Sequence, residues 1–279
     1  MSFKSLEVTL ENHIAHVKLN RPEALNSMNV DFWQEFPVAI REINEQAEAR
    51  VIVLSSTGKH FCAGMDLAVF TSGNSIPMSG EPIRMAENLR RAVLQLQEAF
   101  NVLEDARMPV LSAIQGGCIG GAVDMVCASD SRYCTEDAFF TIKETQLGMT
   151  ADLGTLQRLP HLIPHGIMRE LAYTGRKFDA AEAKEIGLVN KVFASQEAML
   201  EGVMNIAAEI AKNSPVAVAG CKEMINYSRD HSVADSLKYM ATWQSGMFRP
   251  QEMMQCFQAK AMKKDPEFAP LMPIKPLFS

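Results

Sequence analysis

The most constraining feature of this chain is a strand, a glycine turn and a helix in direct succession. Val110-Leu111-Ser112-Ala113-Ile114 is a nearly continuous apolar run and reads as a strand buried on both faces. Gln115 to Gly121 follows with glycines at 116, 117, 120 and 121, and Ala122 to Ala128, small and apolar, reads as a buried helix. Glycine lets a ligand approach the backbone, because no Cβ stands in the way. A helix start offers free N–H groups and the positive end of the helix dipole. Asp124 follows Gly121 by three residues, so a carboxylate sits one turn from that amide on the same face. An anion-stabilising amide beside an acid or base suits chemistry next to a carbonyl.

The same strand, turn and helix succession recurs along the chain. Leu6, Val8 and Leu10, then Ala15, Val17 and Leu19, alternate with polar residues around Asn12-His13 and predict a β-hairpin. A helix is expected from about Asn29 to Ala47, and a buried strand over Val51–Leu54. Gly58 to Leu67 forms a second glycine-containing turn that opens a short helix. Thr71 to Pro82 is rich in Gly, Ser and Pro and is expected to be a mobile surface loop. A long amphipathic helix is predicted from Arg84 to Asp105, and short strands near Ser131–Thr135 and Ala138–Ile142. Helices are expected from Leu153 onward, broken only by a short strand near Leu188–Phe193. Such repetition predicts an α/β fold with parallel strands and crossover helices. Residues 1–194 would form the core, and 195–279 a helical extension of the same domain, since no Pro/Gly linker separates them. Pro215 and Pro250 fit the first turns of helices in that stretch.

Composition narrows the function class. In 279 residues, 47% hydrophobic and 22% charged is an ordinary globular balance, and a net charge of −6 argues against a nucleic-acid surface. No stretch approaches the roughly 20 apolar residues of a membrane span. The six cysteines include no C-x-x-C pair, which gives neither a zinc pattern nor a disulfide framework. His161 and His165 are four apart, but Pro164 lies between them. Neither a metal nor a redox cofactor is therefore expected, and a cytoplasmic enzyme is. Eighteen methionines suggest adaptable core packing.

Three segments, Asn20-Arg21-Pro22-Glu23-Ala24-Leu25-Asn26, Phe61-Cys62-Ala63-Gly64-Met65-Asp66-Leu67 and Gly116 to Asp124, resemble in order and spacing the signatures of the crotonase (enoyl-CoA hydratase/isomerase) superfamily. Within it, Ser131 to Phe140, Lys143-Glu144, Ala151 to Pro160 and Tyr227 to Ala234 look most like the Δ3,5-Δ2,4-dienoyl-CoA isomerases. The resemblance implies a spiral of ββα turns, a C-terminal helical trimerisation region, and a homotrimer or homohexamer. It implies an acyl-CoA thioester as substrate, with the N–H groups of Met65 and Gly121 as the oxyanion hole. Asp124, Glu144 and Asp152 would be the acidic groups: Glu144 takes a proton from carbon 2, Asp152 delivers one at carbon 6, and Asp124 tunes both. Ala24, Leu25, Ala63, Gly64, Asp66, Leu67, Ala68 and Gly120 would line the coenzyme A and acyl site. Met65 departs from the smaller or branched residue that relatives often carry there.

Each acid also has an ordinary structural reading. Asp124 could complement a helix dipole, Glu144 could be a solvated surface acid, and Asp152 is a natural N-cap for a helix starting near Leu153. Two other functions fit the resemblance. An enoyl-CoA hydratase would use the positions of Asp124 and Glu144 but usually carries glycine where Asp152 stands. A non-catalytic acyl-CoA-binding or RNA-binding member is the remaining alternative.

Overall fold

The computed structural model describes residues 3–71 and 80–275. The hairpin forms as expected, β1 (Leu6–Glu11) antiparallel to β2 (Ile14–Leu19). After α1 (Val30–Gln46), strand β3 (Val51–Ser56) pairs parallel to β2. The Asn29 side chain caps α1 by accepting from the Phe32 N–H. The short α2 (Leu67–Thr71) and the long α3 (Pro82–Asp105) precede β4 (Val110–Ile114). Of the segment expected to be a surface loop, residues 72–79 lie outside the described residues.

The glycine turn contains a strand that the sequence did not announce, β5 (Gly117–Ile119), directly before α4 (Gly121–Cys127). Next come β6 (Ser131–Thr135), β7 (Phe139–Thr141), α5 (Thr155–Arg158) and α6 (His165–Thr174). A two-residue strand β8 (Phe178–Asp179) interrupts what periodicity reads as continuous helix, ahead of α7 (Ala180–Glu185) and β9 (Lys191–Phe193). The chain closes with α8 (Gln196–Ala211), α9 (Pro215–Asp230), α10 (Val233–Met247) and α11 (Pro250–Ala261).

Among the described residues two sheets result, β1-β2-β3-β4-β6-β9 and β5-β7-β8. From β2 to β9 the larger sheet is parallel, which requires crossovers and buries both faces. Side-chain alternation along β3 sorts the two layers. Ile52 and Leu54 pack with Phe36, Phe100 and Leu103 of α1 and α3. Val51 and Val53 pack with Met199, Val203 and Ala207 of α8. Helix α9 is pinned by buried Lys222, whose Nζ donates to the carbonyls of Leu103 (2.7 Å) and Met108 (3.2 Å) and pairs with Asp130 (2.9 Å). In contrast, α10 and α11 bury no residue completely.

Candidate active site

Three segments far apart in sequence are zipped together by backbone hydrogen bonds. The N–H groups of Phe61 and Cys62 donate to Gln115 (2.8 Å) and Gly117 (3.0 Å), and Ile119 donates back to Cys62 (3.1 Å). On the opposite edge, Ala63 donates to Leu25 (3.0 Å), Met28 to Gly64 (2.8 Å) and Asp66 to Met28 (3.1 Å). The turn into Met28 needs left-handed backbone at Leu25 (φ 51°) and Asn26 (φ 53°). The buried Asn26 amide holds it. Its Nδ2 donates to Thr57 (2.7 Å) and His60 (3.0 Å), while Oδ1 accepts from the Arg21 N–H (2.8 Å).

This zipper leaves two donors over. Among the described residues, neither the Met65 nor the Gly121 N–H donates to another protein group. Gly121 opens α4, so its N–H has no acceptor within the helix. The two loops approach closely because residue 64 is glycine (φ 87°). A Cβ there would lie 2.7 Å from the Ile119 carbonyl oxygen and 3.7 Å from the Gly121 nitrogen.

The three acids face the same space. Asp124, in the first turn of α4, is 1% exposed, and its Oδ1 accepts from the Thr155 N–H at 2.6 Å. Burial pushes its pKa up to about 6, against the pull of that N–H. Glu144 opens a 3-10 turn, Glu144–Leu147. Its Oε2 is buried without a hydrogen-bond partner, and a Cβ on Gly120 would come within 3.1 Å of its Oε1. Burial first, then the charge of Asp124, raises the Glu144 pKa to about 7, and Asp152 acts in the same direction. Asp152 keeps more contact with water, and partial burial raises its pKa above the ordinary carboxylate value.

The expected capping role of Asp152 is overturned. Helix α5 starts at Thr155, its N-cap position is Gly154 with φ 132°, and no side chain of that cap residue bonds the helix. The acceptor for the Thr155 N–H comes instead from Asp124, so the α4 acid supplies the cap from a distant segment.

A cavity of about 420 Å³ joins these groups. Asp124, Glu144, Asp152, Met65, Gly121, Ala63, Gly64, Leu67 and Gly120 line it. Ala24, Leu25, Asp66 and Ala68 do not. Leu25 is tied to the site only through its carbonyl to Ala63. The Asp66 carboxylate accepts from the Ala68 N–H (3.0 Å), the Ser27 hydroxyl (3.0 Å) and Arg21 (3.4 Å), which hold its pKa below the usual range. Sequence reasoning missed Leu89, Ala92, Val93 and Leu96, which form the apolar wall on α3. Their i, i+3, i+4, i+7 spacing was the available signal. A larger cavity of about 760 Å³ lies among α9, α10 and α11. Its two carboxylates, Asp130 and Glu252, are engaged by Lys222 and the Ser214 hydroxyl. Among the described residues, no group of three or more His, Cys, Asp or Glu is placed to hold a metal, and no helix is long and apolar enough to cross a membrane.

Two unengaged amides and three acids on one apolar cavity can bind a carbonyl oxygen that gains charge and move protons along its chain. Residues 9–270 match the enoyl-CoA hydratase/isomerase family. The peroxisomal Delta(3,5)-Delta(2,4)-dienoyl-CoA isomerase of Arabidopsis thaliana is 44% identical, covering 97% of this chain and 99% of that protein. The mitochondrial Delta(3,5)-Delta(2,4)-dienoyl-CoA isomerase of Homo sapiens is 45% identical, covering 95% and 81%. Among solved structures, the enoyl-CoA hydratase from Bacillus anthracis superposes with a TM-score of 0.84 at 31% identity, covering 98% of this chain and all of the other. The crotonase-like α/β fold expected from the sequence, C-terminal helices included, is therefore the fold of this chain.

Proposed function

The chain belongs to the enoyl-CoA hydratase/isomerase family, and on that premise we propose that it isomerises 3,5-dienoyl-CoA to 2,4-dienoyl-CoA. The observation that carries this reading is the third acid: Asp152 lines the cavity together with Asp124 and Glu144, opposite two unengaged amides. The Met65 and Gly121 N–H groups receive the thioester oxygen as it takes on negative charge, each donor contributing about 3–4 kcal/mol in comparable sites. Glu144 removes a proton from carbon 2, and the electron pair spreads as a conjugated trienolate from the oxygen to carbon 6. Asp152, protonated beforehand, delivers its proton to carbon 6, so the double bonds come to rest at 2 and 4. A base with its pKa near 7 is half ionised at neutrality, which suits reversible proton removal. The charges of Asp124 and Asp152 both disfavour ionised Glu144, and Asp124 fixes the loop that carries Asp152 through its bond to Thr155.

Cofactor, domain organisation and assembly follow in the same proposal. The substrate is a coenzyme A thioester and no further cofactor takes part. Residues 1–194 and 195–279 form one domain, a reading supported by α8 packing on the sheet and by Lys222. Exposed Val233, Leu237 and Phe257 on α10 and α11 support assembly into a homotrimer or homohexamer. Four buried free cysteines suit a reducing compartment such as the cytoplasm. Incubation of the pure protein with a 3,5-dienoyl-CoA should build the ultraviolet band of a 2,4-dienoyl thioester. Rapid hydration of 2-enoyl-CoA without that band would assign the hydratase reaction instead. Tight acyl-CoA binding with neither turnover would make the chain a binder.

A further inference from the structure

The segment carrying Asp152 has little regular structure of its own. Residues 151–154 lie between a 3-10 turn and α5 and belong to no helix or strand. What holds them is a stripe of polar residues on α3. Gln97 donates from Nε2 to the Asp152 carbonyl at 2.6 Å. Asn101 and Glu104, one and two turns further on the same face, grip the guanidinium of Arg158: Asn101 Oδ1 at 2.7 Å, Glu104 Oε2 at 2.8 Å from Nε and 2.7 Å from Nη2. The guanidinium in turn presses on the segment. Its Nη1 points to the Leu153 carbonyl (3.4 Å), and a Cβ on Gly154 would fall 1.9 Å from that nitrogen. Only glycine fits there. Both partners are mostly buried, with 11% and 18% of their side chains exposed, and the other oxygen of Glu104 binds Arg229 at the end of α9.

None of these groups touches Glu144. The turn carrying Glu144 is braced on the opposite side, with Thr145 donating to the Ala172 carbonyl (3.0 Å) and Gln146 to Thr174 (2.8 Å). The two acids that handle the substrate's near and far carbons are thus held by separate supports.

We propose that the Glu104–Arg158 ion pair is a positioning device that sets the reach of Asp152 toward the far end of the acyl chain, independently of the enolising half of the site. This rests on the isomerase reading given above. Both residues act through Asp152 and neither touches substrate. Because α3 also carries the apolar wall at Leu89 to Leu96, one helix fixes the chain and the donor that must meet it.

The two halves are separable in one experiment on the full-length protein. 3,5-Dienoyl-CoA is incubated in deuterated buffer, isomerisation is followed by absorbance, and deuterium at carbon 2 of unreacted substrate is measured by mass spectrometry. In Glu104→Gln and Arg158→Lys, kcat for isomerisation should fall about 10–100-fold, the scale of a small misplacement. Exchange at carbon 2, and KM, should change less than about threefold. Parallel loss of both signals, or loss of neither, overturns the inference. Should Glu104→Gln fail to fold in a thermal melt, Arg158→Lys carries the test, since it keeps the charge and loses only the fork. Wild-type protein that exchanges carbon 2 without isomerising would remove the activity reading itself, and this inference with it. Wild-type isomerisation with unaffected variants would remove this inference alone.

Discussion

The two sides of the cavity are built from different materials. The donor side, 61–65 against 115–121, is held by main-chain hydrogen bonds, and its functional atoms are main-chain nitrogens. The acid side, 144–155, is held by hydrogen bonds from side chains of α3 and α4 and by its own side chains on main-chain carbonyls of α6, and its functional atoms are carboxylates. Side-chain identity therefore matters little on the first side except where a Cβ cannot fit, and matters greatly on the second. Backbone-held groups are also pre-set at no cost in side-chain entropy, whereas each acid had to be desolvated to reach its place.

The largest test of that contrast removes an acid without changing shape. Glu144→Gln or Asp152→Asn should lower kcat for isomerisation by about 10²–10⁴, the range for a lost proton-transfer group, with KM nearly unchanged. A variant that keeps wild-type turnover would strip that residue of its role. On the donor side, Gly64→Ala should cost about 10²–10³ in kcat, because the new Cβ pushes the loop carrying the Met65 amide away from Ile119 and Gly121. Met65→Leu, which changes only the side chain, should stay within about threefold; an equal loss in both would show that the Met65 side chain, not its amide, does the work. The pH profile comes next. Glu144 acts as a carboxylate and its pKa is about 7, so kcat should drop roughly tenfold per unit below that pH, and it should fall again at higher pH where Asp152 gives up the proton it must deliver. A profile flat from 5 to 8 would place the base elsewhere.

The smallest effect is on stability. The Glu144 pKa of about 7 lies above its ordinary 4.5, so the folded state binds the proton more tightly than the unfolded chain. Its stabilising contribution is complete below pH 4.5 and lost as pH rises through 7. Glu144→Gln should therefore raise Tm at pH 8 by about 2–6 °C, for roughly 1–3 kcal/mol, and leave it unchanged near pH 4. A Tm rise of the same size at both pH values would trace the gain to packing, not charge.

The contrast between the two sides also decides how much could be read from the chain. Donor-side signals are local, since glycines 64, 120 and 121 mark close approach wherever they occur, and β3 and β4 announce themselves as apolar runs. The start of α1 was legible near Asn29, whose side chain caps it. Acid-side signals are not local. Asp152 looks like a helix cap because the sequence cannot show that Asp124 already occupies that amide. The α3 stripe was legible as amphipathic, yet its periodicity did not show that Ala99, Phe100 and Leu103 go to the core while Leu89 to Leu96 go to the cavity. Strands as short as β5 and β8 carry too few residues for period-2 alternation to appear. The roles of Glu144 and Asp152 therefore rested on the resemblance, whereas Asp124 also stood out by its spacing from Gly121, and α5's cap rested on nothing the chain displayed.

Asn26 precedes a serine, and asparagines in such pairs lose their amide with time when the following main-chain nitrogen attacks the side-chain carbon. Here that nitrogen, on Ser27, donates to the Ala24 carbonyl at 3.0 Å, while the Asn26 side chain, 3% exposed, is bound at both ends. An aspartate in its place would turn an acceptor toward two carbonyls that need a donor, and the junction between the first two signature segments would open. The hydrogen bonds that bend the chain at this corner also slow its chemical ageing, so shelf life and fold share one amide.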